Sequence, residues 1–309
     1  MPRSLCLIAL LLLAACAVPF GVEGVPITPV ATWTPPARVP PRAVIVALHG
    51  FNDYKAAFKD FGTWAAAHGV LVEAYDQPGF GERPDRGSWP GVAALTEALN
   101  AAVRQARTAH AGLPVYVLGE SMGGAVAVAA LARSDAPPVD GLILSAPAVW
   151  DTSRLPVTYR VLLRVLATLL PPLKVSASGL RVQASDNIEA LQALGRDPLY
   201  VRDTRIDAVA GLVDLMEKAR AEGPQLGLPM LVLLGGRDQI VPPAASRSFV
   251  RSLRPDSCSV VTYLSGWHLL LRDHQRERVF DDILAWIEKR PLPSGLDHPC
   301  GPAPGPAQS

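Results

Sequence analysis

The sequence predicts an α/β fold, a mostly parallel and doubly wound sheet interrupted once by a helical insert. Two observations carry that expectation. Short continuous apolar runs, such as Arg42 to Leu48 and Val70 to Tyr75, alternate with stretches of helical length and periodicity. Strands buried on both faces and separated by crossover helices read this way. The alternation stops after Trp150 and resumes at Pro229, leaving a block with helical stretches and no convincing strand.

In chain order, residues 1–15 read as an export signal, with Arg3 as the basic flank and Leu5 to Leu13 as the apolar run. That run is shorter than the roughly 20 residues a bilayer span needs. Two cleavage readings stand: an ordinary secretory signal cut near Ala15 or Ala17, or a cut before Cys16 with lipidation of that cysteine. Leu13-Ala14-Ala15-Cys16 is similar to the bacterial lipobox, and Ala17 rather than Asp then favours an outer-membrane lipoprotein of the cell envelope. Residues 16–41 read as a Pro- and Gly-rich tether with an edge strand near Ile27 to Trp33.

The core is expected over 42–150 and 228–290. Strands are placed at 42–48, 70–75, 115–118, 141–146, 229–234 and 259–264, with helices ending near His68, His110 and Arg133. Asn52 or Asp53 is expected to cap the first of these helices. Within the insert, 151–227, helices are expected at Val157 to Leu170 and Arg205 to Glu222. Further helices are placed at Ala244 to Leu253 and Arg276 to Lys289, and residues 291–309 read as a disordered Pro/Gly-rich tail. Cys258 and Cys300 either pair, pinning that tail, or remain thiols.

The chain is 49% hydrophobic and 18% charged, which excludes global disorder. Its net charge of +1, with scattered Lys and Arg, gives no case for nucleic acid. No Cys/His cluster suggests a metal, and no cofactor motif is present. Nothing in the sequence sets the oligomeric state.

The chemistry is carried by Gly119-Glu120-Ser121-Met122-Gly123, lying between the apolar run Val115 to Leu118 and an Ala/Val-rich helix. Strand, sharp turn and helix present a serine at a strand's carboxyl end, with glycines where side chains would collide. A serine hydroxyl needs a base within hydrogen-bond reach and an acid to orient that base. In open α/β sheets such groups gather beyond strand ends. Asp238 follows one strand through Gly235-Gly236-Arg237, and His268 follows the next through Ser265-Gly266-Trp267. His274 is the rival base, and Asp203, Asp207 and Asp273 are the weaker acids. Two backbone donors are needed for a developing oxyanion. Met122 N–H is one, and Phe51 N–H, in the loop His49-Gly50-Phe51-Asn52, is the other. Gly50 permits close approach, and His49 is expected to brace the loop.

With these residues in place, the chain resembles the α/β-hydrolase superfamily. Within it the chain is similar to bacterial lysophospholipases and monoacylglycerol lipases, which are grouped with the serine aminopeptidase S33-type hydrolases. The matching pieces are His49-Gly50, Asp76-x-x-Gly79-x-Gly81, Gly119-Glu-Ser-Met-Gly-Gly124, Gly235-Gly-Arg-Asp238 and Gly266-Trp-His268. One departure is Phe51-Asn52-Asp53, where monoacylglycerol lipases carry an acidic and a basic residue. The resemblance implies the α/β-hydrolase fold with a helical lid after the sixth strand. It also implies ester hydrolysis through an acyl-enzyme on Ser121, acting on a small lipid or ester. The first insert helix, Val157 to Leu170, then reads either as an acyl-chain wall or membrane-facing entrance with Arg160 and Arg164 near lipid phosphate, or as a helix packed on its own domain. A general short-chain esterase, an acyltransferase and an aminopeptidase using acidic lid groups such as Asp186 and Glu189 remain alternatives.

Overall fold

The apolar run 43–48 forms a strand with every residue buried, Ala43–Leu48 (β2), because its neighbours leave neither face to solvent. The computed structural model describes residues 30–150, 156–176 and 182–302. The expected signal and Cys16 lie outside the described residues.

The sheet is built from Val30–Trp33 (β1), β2, Val70–Tyr75 (β3), Val115–Glu120 (β4), Gly141–Ser145 (β5), Met230–Gly235 (β8), Cys258–Tyr263 (β9) and Asp297–Pro299 (β10). Its eight strands lie in the order β1-β3-β2-β4-β5-β8-β9-β10. The inner strands pair parallel; β1 on β3 and β10 on β9 are antiparallel edges. Helices Lys59–Ala67 (α1) and Arg276–Ile287 (α8) cover one face, where Phe61 meets Phe280 edge-on. Helices Val92–Ala109 (α2), Met122–Leu131 (α3) and Pro243–Ser252 (α7) contribute to the core on the other face. Helix α2 shows the expected periodicity, burying Leu95, Leu99, Ala102, Val103 and Ala106. Helix α3 is buried on all sides, which its Gly/Ala-rich sequence permits.

The insert contributes Val157–Leu169 (α4), Ile188–Arg196 (α5) and Ile206–Glu222 (α6). It also holds a two-stranded antiparallel ribbon, Lys174–Ser176 (β6) with Asp203–Arg205 (β7), where no strand was expected. Strands this short carry too little pattern to be read against the flanking polar residues. Among the described residues the insert follows the fifth strand rather than the sixth, since residues 30–41 contribute only β1. Neither Asn52 nor Asp53 caps α1: Lys55–Phe58 forms a 3₁₀ turn first, and both side chains are engaged elsewhere.

Residues 291–302 of the tail depart from the disorder expected of them. Residues up to 302 are described, and β10 pairs with β9 through the register Asp297–Val261 to Pro299–Ser259. A Cys258–Cys300 disulfide closes this segment over 42 residues of separation. Loop-closure entropy on that scale stabilises by about 2–4 kcal/mol. Replacing both cysteines by serine is expected to lower unfolding stability by about that amount and leave kcat unchanged. The triad sits at the other ends of the strands, so denaturant melts and ester kinetics on the double variant check both parts.

Candidate active site

The nucleophile turn is held by backbone before any catalytic partner is considered. Ser121 takes φ 53° and ψ −117°, a strained conformation for a residue with a side chain. It persists because its groups are heavily bonded. Its N–H donates to Ser145 O at 2.9 Å, and its carbonyl accepts from the amides of Gly124, Ala125 and Ala148. The flanking glycines are sterically required. A Cβ on Gly119 would lie 2.6 Å from Gly123 O, and one on Gly123 would lie 2.2 Å from Leu48 O. Helix α3 begins at Met122, so its first-turn amides face the same end of the sheet as Ser121.

His268 and Asp238 reach Ser121 from the ends of β9 and β8. His268 Nε2 accepts from Ser121 Oγ–H at 2.9 Å, and its Nδ1–H donates to Asp238 Oδ2 at 2.9 Å. The second Asp238 oxygen accepts from the amides of Ile240 and Val241 at 2.8 and 2.9 Å, which fixes the carboxylate's orientation. Glycines let the two turns pack backbone to backbone: a Cβ on Gly235 would lie 2.1 Å from Trp267 O. Arg237 N–H donates to Gly266 O at 2.9 Å across the same contact. All three side chains are largely buried, with Ser121 the most accessible at 9%. The spacing read from the sequence therefore brings together the residues it named.

The loop after β2 lies against the nucleophile. A Cβ on Gly50 would stand 3.3 Å from Ser121 Cβ and 3.8 Å from its Oγ. His49 braces the loop as expected. Its Nε2 accepts from Gln77 N–H at 3.0 Å, leaving Nδ1–H to donate to Gly50 O at 2.8 Å. Burial pushes the His49 imidazole down, favouring this neutral form. Phe51 is held edge-on between Phe80 and Trp89. The Asp76-x-x-Gly79-x-Gly81 turn is knotted by Asp76, which accepts from Lys55 N, Lys55 Nζ and Glu82 N.

The other candidates do different work. The His274 side chain is exposed and its amide donates to Asp186 Oδ1 at 2.9 Å. Asp273 accepts from Ser185 Oγ at 2.6 Å and from Trp267 N at 2.8 Å, bracing the turn that carries His268. Asp207 pairs with Arg205, and Asp203 belongs to β7. Arg164 stands in a bidentate pair with Asp214 on α6 instead of free at a lipid surface. A separate cavity of about 460 Å³ lies at the amino ends of β8 and β9, lined by Met230, Cys258, Trp286 and His298. It contains no triad residue.

Sequence reasoning passed over two features. The insert grips both catalytic loops: Val201 N–H donates to Asn52 O, Asn52 Nδ2 to Thr204 Oγ1, and Leu269 N–H to Ala184 O. Glu120, beside the nucleophile, is fully buried and paired with Arg272. A charged residue inside the elbow motif, preceded by a buried strand, was the available signal for the second.

A serine–histidine–aspartate relay on a mostly parallel sheet, with the serine at a strand-to-helix elbow, defines a serine hydrolase of the α/β-hydrolase class. Residues 39–275 match the family model described as serine aminopeptidase, S33, and the chain belongs to that family. It is 28% identical to a monoacylglycerol lipase of Mycolicibacterium smegmatis over 279 residues, 86% of this chain and 94% of that one. It is also 28% identical to the phospholipase YtpA of Bacillus subtilis, over 81% of this chain and 96% of the relative. The crystal structure of Paleococcus ferrophilus monoacylglycerol lipase superposes with a TM-score of 0.72 at 23% identity. That match covers 84% of this chain and 98% of the other, and supports the fold. The protein is a serine ester hydrolase.

Proposed function

We propose that this hydrolase cleaves membrane-derived acyl esters, a monoacylglycerol or a lysophospholipid, from a bacterial envelope to which lipidated Cys16 anchors it. Ser121 Oγ attacks the ester carbonyl as His268 takes its proton, and Asp238 steadies the resulting imidazolium. The amides of Met122 and Phe51 receive the oxyanion. His268 then protonates the departing alcohol, and a water activated by the same nitrogen releases the fatty acid. No metal or cofactor is called for in these steps.

The observation that carries the lipid reading is the apolar surface of the insert. Helix α4 buries none of its residues, and Tyr159 and Leu169 are 66% and 71% exposed. Leu162, Leu170 and Leu173 extend the patch, although α4 also packs on α6. An exposed apolar face of this kind marks a surface for lipid or protein. The two similar enzymes act, by name, on a monoacylglycerol and a phospholipid, which agrees with the first. In this reading residues 151–227 are the lid, and α4 is its membrane-facing entrance.

Hydrolysis of a graded series of monoacylglycerols and p-nitrophenyl esters tests the substrate class. The expected result is a kcat/KM that rises from butyryl to long-chain esters, and rises again above the micelle threshold. Preference for acetyl and butyryl esters with no response to micelles would defeat the lipid reading. Incorporation of radiolabelled palmitate into the protein, with fractionation of the cells, tests the anchor: Cys16→Ser is expected to carry no label and to appear in the soluble fraction.

A further inference from the structure

Three loops converge on the catalytic centre, and a single buried guanidinium connects them. Arg272 lies four residues beyond His268, on the same loop. Its Nη1 lies 2.7 Å from Asp53 Oδ2, and Asp53 belongs to the loop carrying Gly50 and Phe51. Its Nη2 donates to Glu120 Oε2 at 3.0 Å, and Glu120 immediately precedes Ser121. The Arg272 carbonyl accepts from Asn187 Nδ2 at 3.1 Å, so the insert holds the same loop.

We propose that Arg272 is a positioning residue, bridging Asp53 and Glu120 so that the oxyanion loop, the nucleophile elbow and the histidine loop share one geometry. This rests on the ester-hydrolase reading of the site and adds to it a determinant outside the triad and the oxyanion donors.

The chemistry suits that task better than it suits stability. The side chains of Glu120, Asp53 and Arg272 are 0%, 5% and 13% exposed, so all three have left water. Burying charges is costly, and a buried ion cluster often stabilises no more than an apolar one of the same shape. What it supplies is direction. A planar guanidinium offers donors at fixed angles and engages two carboxylates at once, whereas an ammonium is a point charge on a flexible stem. Burial pushes the Glu120 carboxyl up, and the Arg272 charge is the first influence opposing it. Burial likewise works against the Arg272 charge, but Asp53 and Glu120 outweigh it and hold the guanidinium protonated. Tyr200 from the insert, His49 and His268 are further titratable groups that feel this cluster.

Each arm fixes a different part of the reaction geometry. The Glu120 arm sets the direction of β4 as it enters the elbow. The Asp53 arm sets the turn two residues after Phe51, whose amide must meet the oxyanion. The loop between Arg272 and His268 sets the depth of the imidazole. A displacement of about 1 Å in any of these costs on the order of 100-fold in rate. A ground-state binding site assembled elsewhere, along the insert, would not change.

The test uses the full chain and p-nitrophenyl butyrate, a soluble ester that needs no lipid surface. Arg272→Gln is expected to lower kcat about 100-fold with KM changed by no more than about twofold, measured below the variant's own melting temperature. Arg272→Lys should recover about tenfold of that loss, because it restores the charge without the fork. Should Arg272→Gln not fold, Glu120→Gln, which keeps the shape and removes one ionic arm, is expected to lower kcat about tenfold at unchanged KM. Wild-type kcat in folded Arg272→Gln or in Glu120→Gln overturns the proposal, as does a Lys variant no better than the Gln variant. Failure of the ester-hydrolase reading would show instead in the wild-type protein, as absence of turnover and of fluorophosphonate labelling.

Discussion

Substitution of His268 by alanine is expected to lower kcat by about 10⁶-fold while leaving KM and the fold nearly unchanged. The size of the effect follows from the hydrogen bonds the imidazole makes. Its Nε2 is the acceptor for the Ser121 proton, and its Nδ1–H is tied to Asp238. Without it the hydroxyl stays protonated at neutral pH and is a weak nucleophile. The alcohol product also loses its proton donor, so both halves of the reaction suffer. The fold should survive because Asp238 keeps its bonds from the Ile240 and Val241 amides. The loop likewise keeps Leu269 N–H on Ala184 O and Trp267 N–H on Asp273. Steady-state kinetics with a p-nitrophenyl ester, alongside thermal melts, separate the two. A loss smaller than about 100-fold would mean that another group serves as base. His274 is then the candidate to examine, since His49 has both ring nitrogens engaged in the oxyanion loop.

Gly123→Ala is expected to carry the second large effect, and by a different route. Its Cβ would meet Leu48 O at 2.2 Å, Leu48 C at 2.7 Å and His49 O at 2.8 Å. These are backbone atoms of a buried strand end, so no side chain can rotate away. Relief requires β2 or α3 to move, with an overpacking cost of about 3 kcal/mol. The atoms that must shift begin the loop carrying Gly50 and Phe51, and α3 begins with Met122. Movement there separates the amides of Phe51 and Met122, the proposed oxyanion donors, from Ser121. The variant should therefore melt several degrees lower, and the fraction that stays folded should lose about 100-fold in kcat. A variant with wild-type stability and activity would mean that the elbow is not packed as described.

The inner strands of the sheet were legible because burial on both faces leaves apolar runs in β2, β3, β4, β5 and β8, while β9 shows a buried Val260-Val261 pair between half-exposed Ser259 and Thr262. The triad was legible for a related reason. Parallel strands bring their carboxyl ends together, so Asp238 and His268, each a short turn past such a run, could be placed beside Ser121 without coordinates. The insert was not legible to the same degree. Ribbon β6–β7 has three residues per strand, too few for a period to emerge. Strand β10 contains Pro299 and polar residues, and the disulfide just beyond it joins Cys300 to a residue 42 positions earlier. The ion cluster was the least visible. Arg272 and Glu120 are 152 positions apart, and an arginine paired at such a distance reads as any surface arginine does. Asp53 was expected to cap a helix because Asp so often does so beside a loop. A buried cation across the site was a stronger partner than the helix end.

The central claim is that Ser121 is the nucleophile of an acyl-enzyme, activated by His268 and Asp238. Treatment of the full chain with a fluorophosphonate probe, followed by peptide mapping, tests this most directly. The account predicts one phosphonyl adduct, on Ser121, absent from Ser121→Ala and strongly slowed in His268→Ala. An adduct that persists in Ser121→Ala, or that maps to another residue in the wild-type protein, would contradict it.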